Sequence, residues 1–162
     1  MKARGWLVAA AVVVALIGVH QLLAEPFRIP SGSMLPTLTP GDQVLVDKLD
    51  REPRRGDLIV FRRPRSDEIM LKRVVALGGD TVAIQDGALY VDGRRRRERY
   101  ADPRAIDSVY FGPVRVPRGS VFALGDNRAD SIDSRTFGPV PSSRVIGRVV
   151  ARLWPPDRVG GV

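Results

Sequence analysis

The run over residues 6–24 constrains this chain most: it is apolar apart from Gly18, His20 and Gln21, and nothing of similar length follows it. As a helix rising about 1.5 Å per residue it would be roughly 28 Å long, close to the hydrocarbon thickness of a bilayer. It divides the chain into a basic stub at 1–5, a single transmembrane anchor at 6–24 and a body at 25–162. A cleaved secretory signal has the same plan of basic start and apolar core. A cut after Ala24, however, would need a small residue where Leu22 stands, so retention is the favoured reading. Lys2 and Arg4 ahead of the run place the N-terminus in the cytoplasm and the body on the far side of the cell membrane. His20 and Gln21 then fall near the outer interface, where a plain interfacial role suits them.

Beyond the anchor the apolar runs are short and cut by turns. Segments 43–46, 57–61, 69–77, 82–84, 88–91, 114–116, 120–124 and 145–153 read as strands, with Gly41-Asp42 and Gly56-Asp57 marking turns near two of their starts. Asp86-Gly87 separates two of these runs and Asp92-Gly93 follows, the strongest short-range signal for a hairpin. The body is therefore expected to be an all-β domain of Greek-key or partly closed sheet type, without internal repeats. The charged stretch 94–107 reads as a solvated loop or as a contact to lipid headgroups.

Composition removes several kinds of chemistry. The chain has no cysteine, so a thiol nucleophile, a disulfide and a thiolate metal site are excluded. One histidine, His20, leaves the body without a zinc site or a Ser-His-Asp triad. Any serine nucleophile must use another base. The net charge of +8 suits nucleic acid, anionic headgroups or an acidic partner. Because the arginines lack the interleaved aromatics used for base stacking, and a membrane segment precedes them, nucleic acid is not an expected partner.

Three stretches carry polar residues in patterns that invite chemistry. In 29–38, Pro30 and Pro36 stiffen a loop in which Ser31 and Ser33 stand two residues apart around Gly32; a Ser/Pro turn leaving a membrane helix has the same composition. Within 69–77, alternation puts Lys72 with Met70, Val74 and Ala76, and Arg73 with Leu71, Val75 and Leu77. Both faces are apolar, so periodicity alone leaves the buried face open. A desolvated lysine loses its proton and can take one from a serine hydroxyl, whereas arginine stays charged; a lysine in a strand can also simply snorkel. In 125–135, Asp126, Arg128, Asp133 and Arg135 can form charge-assisted pairs that hold the loop, and Ser131 can orient a neutral amine. A calcium loop is the rival there, but it lacks a terminal glutamate and would contain two arginines.

These stretches together resemble the bacterial type I signal peptidases, membrane-anchored serine endopeptidases. The likeness runs from Glu25 to Pro156 through PSGSMLPTL at 30–38, RGDLIVF at 55–61, KRVVA at 72–76, Gly79-Asp80, GDNR at 125–128, SIDSR at 131–135 and FGPVP at 137–141. The resemblance implies that Ser33 is the nucleophile and Lys72 the general base, that Ser31 joins the Ser33 N–H in an oxyanion hole, that Ser131 positions the lysine, and that Asp133 and Arg135 form a supporting ion pair. It implies a signal-peptidase-like catalytic β domain without metal or cofactor. Its substrates would be exported preproteins carrying signal peptides, cut by way of an acyl-enzyme after small residues at the first and third positions before the bond. Gly78 stands where many members have proline, which implies a looser turn before Gly79-Asp80.

Two related readings stay open: a self-cleaving repressor with the same dyad, disfavoured by the anchor, and a dedicated pilin-processing peptidase. A silent, lipid-tethered basic β-module is the reading from another class, and the paired Ser33 and Lys72 speak against it. A monomer is expected. So is an exposed apolar rim of Phe27, Ile29, Met34 and Leu35 touching membrane lipid. Ser33 lies at most roughly 30 Å beyond Ala24 even with the linker fully extended, which keeps it near the outer surface.

Overall fold

The structure is a computed structural model that describes residues 23–101 and 110–162. All but the last two positions of the expected anchor lie outside the described residues, and Ala24 already opens a strand. Among the described residues no helix is long and apolar enough to cross a membrane. The fold is mainly β. Its strands are β1 (Ala24–Arg28), β2 (Gln43–Asp47), β3 (Leu58–Arg62), β4 (Ile69–Leu77), β5 (Thr81–Gln85), β6 (Ala88–Val91), β7 (Arg94–Arg95), β8 (Tyr110–Arg115), β9 (Ser120–Leu124), β10 (Val140–Pro141) and β11 (Val145–Trp154). One helical turn, α1 (Ser134–Phe137), stands between β9 and β10.

Two antiparallel sheets result, one ordered β1-β2-β11-β3-β4-β9-β10 and the other β7-β6-β5-β8. Pro26 is tolerated in β1 because that strand is the edge of its sheet, where a missing ladder donor costs least. In the smaller sheet, Asp86 and Gly87 both take positive φ (48° and 71°), the geometry that matches the twist of the hairpin strands β5 and β6. Asp92 and Gly93 repeat it (53° and 71°) and turn the chain into β7. The basic stretch therefore begins as a strand, and Glu98 and Tyr100 turn inward. A wholly solvated loop is not what forms.

Strand β4 runs between β3 and β9, with Ile59 opposite Lys72 and Leu124 opposite Arg73. Every residue from position 70 to 76 is buried. Such burial on both faces is why alternation could not select one. Three apolar clusters meet along this strand: Met70 and Val74 pack with Phe61 and Val121, Leu71 with Met34 and Val60, and Val75 and Ala76 with Leu89 and Phe122. Burying each large side chain contributes about 1.5–3 kcal/mol, so β4 is a stiff platform for whatever polar groups it carries.

The expected apolar rim is largely core. Ile29 and Met34 are only 2% and 1% exposed, Phe27 is half-buried, and Leu35 alone of the four reaches solvent, at 37%. The cause is a folded-back loop: the Ile29 N–H donates to the Asp42 carbonyl (2.8 Å) and the Gly41 N–H to the Ile29 carbonyl (2.9 Å). This closure drops Met34 and Leu38 onto Val44 and Val60. The turn at Gly78 is firmly closed as well. The Asp80 carboxylate accepts from the Leu77 N–H (2.7 Å), and a Cβ at position 78 would stand 2.9 Å from the Pro117 carbonyl oxygen.

Candidate active site

The 29–42 loop places Ser33 against β4. Ser31 is extended (φ −140°, ψ 167°), and Gly32–Met34 then form a 3₁₀ turn. That turn brings the two serine hydroxyls together, with Ser31 Oγ donating to Ser33 Oγ at 3.3 Å. From β4, Lys72 Nζ donates to Ser33 Oγ at 2.8 Å and to the Leu71 carbonyl at 3.0 Å. The lysine is 3% exposed. Burial pulls its pKa from 10.5 down to about 8, against the opposing pull of Asp133, Glu68 and Asp126. About a tenth of the amine is then neutral at pH 7, and a neutral amine can accept a proton from a serine hydroxyl instead of donating.

The 125–135 segment supports this pair from one side. The Asp133 carboxylate caps α1, accepting from the Arg135 N–H (3.1 Å) and, through its other oxygen, from the Gly125 N–H (3.0 Å). The Arg135 guanidinium grips both oxygens at 2.9 Å and donates to the Arg128 carbonyl at 2.9 Å. Asp133 and Arg135 therefore form an ion pair within this segment. Gly125 permits a very close approach: a Cβ there would lie 2.2 Å from Ser131 Oγ and 2.6 Å from the Ser33 carbonyl oxygen. Ser131 Oγ is buried beside Ser33 and makes no hydrogen bond among the described residues, so the anticipated Ser131–Lys72 bond is not present.

The pairing imagined between Asp126 and Arg128 does not occur. Asp126, fully buried, is gripped by Arg73 through both carboxylate oxygens (2.9 and 2.8 Å) and also accepts from Thr37 Oγ1 (2.5 Å). Arg128 instead holds both oxygens of Glu98 (2.7 and 2.5 Å). The Tyr100 ring lies 4.2 Å from the Arg73 guanidinium carbon and its hydroxyl donates to Glu98 (2.8 Å); burial, then Glu98, push that hydroxyl's pKa up. Asn127 was also missed: its backbone N–H donates to the Ser33 carbonyl (3.1 Å) and its amide to the Gly32 carbonyl (3.1 Å). The signal for Arg73 was its place in a strand buried on both faces, which demands a carboxylate partner somewhere. Glu98 gave no such signal.

Ser33 and Lys72 open on a cavity of about 150 Å³ walled by Phe27, Ile29, Met34, Ile69, Met70 and Leu71. Glu68 stands at the same cavity, paired with Arg63 (3.0 Å). Among the described residues no cluster of His, Asp or Glu has metal-holding geometry.

A serine hydroxyl in contact with a buried lysine on a mainly β scaffold, with no histidine among the described residues, defines a class of serine hydrolase. The match to known proteins narrows that class: the chain belongs to the family described as signal peptidase, peptidase S26, whose model matches residues 3–154. Among its relatives, "Signal peptidase I" of Leptolyngbya laminosa is 40% identical over 159 residues, covering 91% of this chain and 77% of that protein. "Signal peptidase I" of Bacillus caldolyticus is 37% identical, covering 93% and 88%. "Thylakoidal processing peptidase 1, chloroplastic" of Arabidopsis thaliana is 40% identical, but this chain spans only 44% of it. The crystal structure of a signal peptidase I from Enterococcus faecalis superposes with a TM-score of 0.53 at 34% identity, covering 60% of this chain and 96% of that one.

Proposed function

We propose that Ser33 and Lys72 are the nucleophile and general base with which this serine endopeptidase of the signal peptidase family removes signal peptides from preproteins. The observation that carries the assignment is the 2.8 Å contact between Ser33 Oγ, at the edge of an open cavity, and the Nζ of Lys72, which is only 3% exposed. Neutral Lys72 takes the Ser33 proton as Oγ bonds to the scissile carbonyl carbon, and the carbonyl electrons move onto oxygen. The Ser31 hydroxyl and the Ser33 N–H hold that oxyanion. Collapse breaks the C–N bond, and the Lys72 ammonium returns its proton to the leaving amine. Water then gives a proton to Lys72 as its oxygen bonds to the acyl carbon; collapse breaks the C–Oγ bond, and the Lys72 ammonium returns that proton to Ser33 Oγ.

A neutral lysine has two N–H donors and one lone pair. The lone pair faces Ser33, one donor suits the Leu71 carbonyl, and the other is left for the Ser131 hydroxyl, which must swing toward the amine to take up its positioning role. Asp133 and Arg135 hold the Ser131 segment against Gly125. The small cavity beside Ser33 favours small residues before the cleaved bond. Residues 1–5 form a cytoplasmic stub, 6–24 a single anchor and 25–162 the extracytoplasmic domain, a monomer whose exposed Leu35 and Ile69 meet membrane lipid. A secretory precursor incubated with the purified protein in detergent should be cut at one bond, mapped by mass spectrometry, and left intact by Ser33→Ala. Cleavage by Ser33→Ala at an undiminished rate would remove Ser33 from the mechanism.

A further inference from the structure

The chemistry above leaves Arg95, Arg96 and Arg97 unused, although all three line a second cavity. It measures about 360 Å³ and is lined by Arg55, Arg95, Arg96, Arg97 and Tyr100 over a floor of Val75 and Leu89. Its position is informative. Gly56 also lines it and accepts from Arg73 Nη1 (2.8 Å), while Tyr100 covers the Arg73 guanidinium, so the cavity abuts the Arg73–Asp126 pair. Arg55 comes from the turn before β3; the other three come from β7 and the residues just after it.

Four arginines line this cavity, and no carboxylate does. Asp80 engages Arg55 from outside it, at 2.7 Å. Arg95 and Arg97 have no carboxylate partner among the described residues, and Arg96, which Asp80 reaches only through its charge, has a buried Nε without a hydrogen-bond partner among them. An unsatisfied buried donor costs about 1–3 kcal/mol, and more when charged, while converging like charges repel one another. One ligand chemistry answers both costs: a multiply charged anion with several acceptor oxygens. Guanidinium forks match phosphate oxygens two at a time, and the volume lies within the ~300–1,000 Å³ of ordinary ligand sites.

We propose that this cavity binds a phosphate-class anion, either free as a small polyphosphate or presented as the headgroup of an anionic lipid. The test is calorimetric titration of the full chain in a zwitterionic detergent with pyrophosphate at constant ionic strength. The wild type binds at a single saturable site. Arg95→Ala combined with Arg97→Ala weakens binding by about tenfold per arginine. Arg62→Ala combined with Arg118→Ala removes the same charge from exposed positions outside the cavity and leaves binding unchanged. The same titration in phosphatidylcholine nanodiscs, with and without phosphatidylglycerol, separates the sources: competition by phosphatidylglycerol assigns the site to a headgroup, and its absence to a free anion. No saturable binding by the wild type, or equal weakening in the two double variants, would overturn the proposal. None of these readouts depends on cleavage activity.

Discussion

Lys72 and Arg73 are neighbours on β4 and equally withdrawn from water, at 3% and 8% exposure, yet the fold provides for their charges in opposite ways. Arg73 receives a fully buried carboxylate, Asp126, in a two-point grip, with an aromatic ring over its face. Lys72 receives a hydroxyl and a carbonyl, and no carboxylate within bonding distance. One cation is bonded to its counter-charge and anchors the site; the other has only neutral groups in contact, and burial draws its pKa down to about 8 against the more distant pull of Asp133, Glu68 and Asp126. Burial alone therefore does not suit a cation to the role of base proposed for Lys72. The choice of partner does, and arginine suits the anchor because it cannot deprotonate.

The comparison breaks most visibly if the two cations are made alike. Lys72→Arg keeps the charge but supplies no free base, and a precursor-cleavage assay should fall by about 10⁴-fold or more, indistinguishable from Ser33→Ala, because nucleophile and base act as a unit. Asp126→Asn attacks the other side. Leaving Arg73 buried without its carboxylate should cost about 3–5 kcal/mol of stability, read from urea or thermal unfolding in detergent. An unchanged midpoint would mean that Arg73 finds another partner. Ser31→Ala, which removes one donor to the oxyanion and leaves Lys72 in place, should lower kcat about 10²- to 10³-fold with little change in KM.

The mildest change sharpens the contrast. Lys72 has a lower pKa folded than unfolded, so between about 8 and 10.5 the native state binds fewer protons than the unfolded chain. Its stability penalty is complete below about 8 and fades as pH rises toward 10.5. That penalty corresponds to roughly 3 kcal/mol. Lys72→Met should therefore raise the unfolding midpoint at pH 7, with the gain shrinking above pH 8. A loss of stability at pH 7 would show that the lysine is a structural cation like its neighbour.

Local signals carried some of this into the sequence, and tertiary ones did not. Strand β4 was legible to its last residue because nine consecutive positions are apolar or long-chained, and the Asp86-Gly87 hairpin because its turn demands positive φ. Ser33 and Lys72 were legible as a pair only through the family resemblance, since 39 residues separate them. Partner choice among the arginines was not legible. Asp126 passes over Arg128 two residues away for Arg73, and Arg128 reaches back 30 residues to Glu98, decisions set by how the two sheets meet. Strand β1 was hidden by Pro26, which an edge position excuses. The burial of Ile29 and Met34 depended on the return of the loop at Asp42, which no local pattern announces.

Titration of Lys72 itself tests the central claim most directly. The chain has only three lysines, Lys2, Lys48 and Lys72, so lysine labelled with ¹³C at the ε-carbon gives a spectrum of three signals, assigned by the Lys72→Met variant. The account predicts that the Lys72 signal titrates with a midpoint near 8, and that cleavage activity rises with pH along the same curve. A Lys72 midpoint at or above 10.5, with activity already at its plateau at neutral pH, would contradict the account, because a lysine that keeps its proton there is not the base.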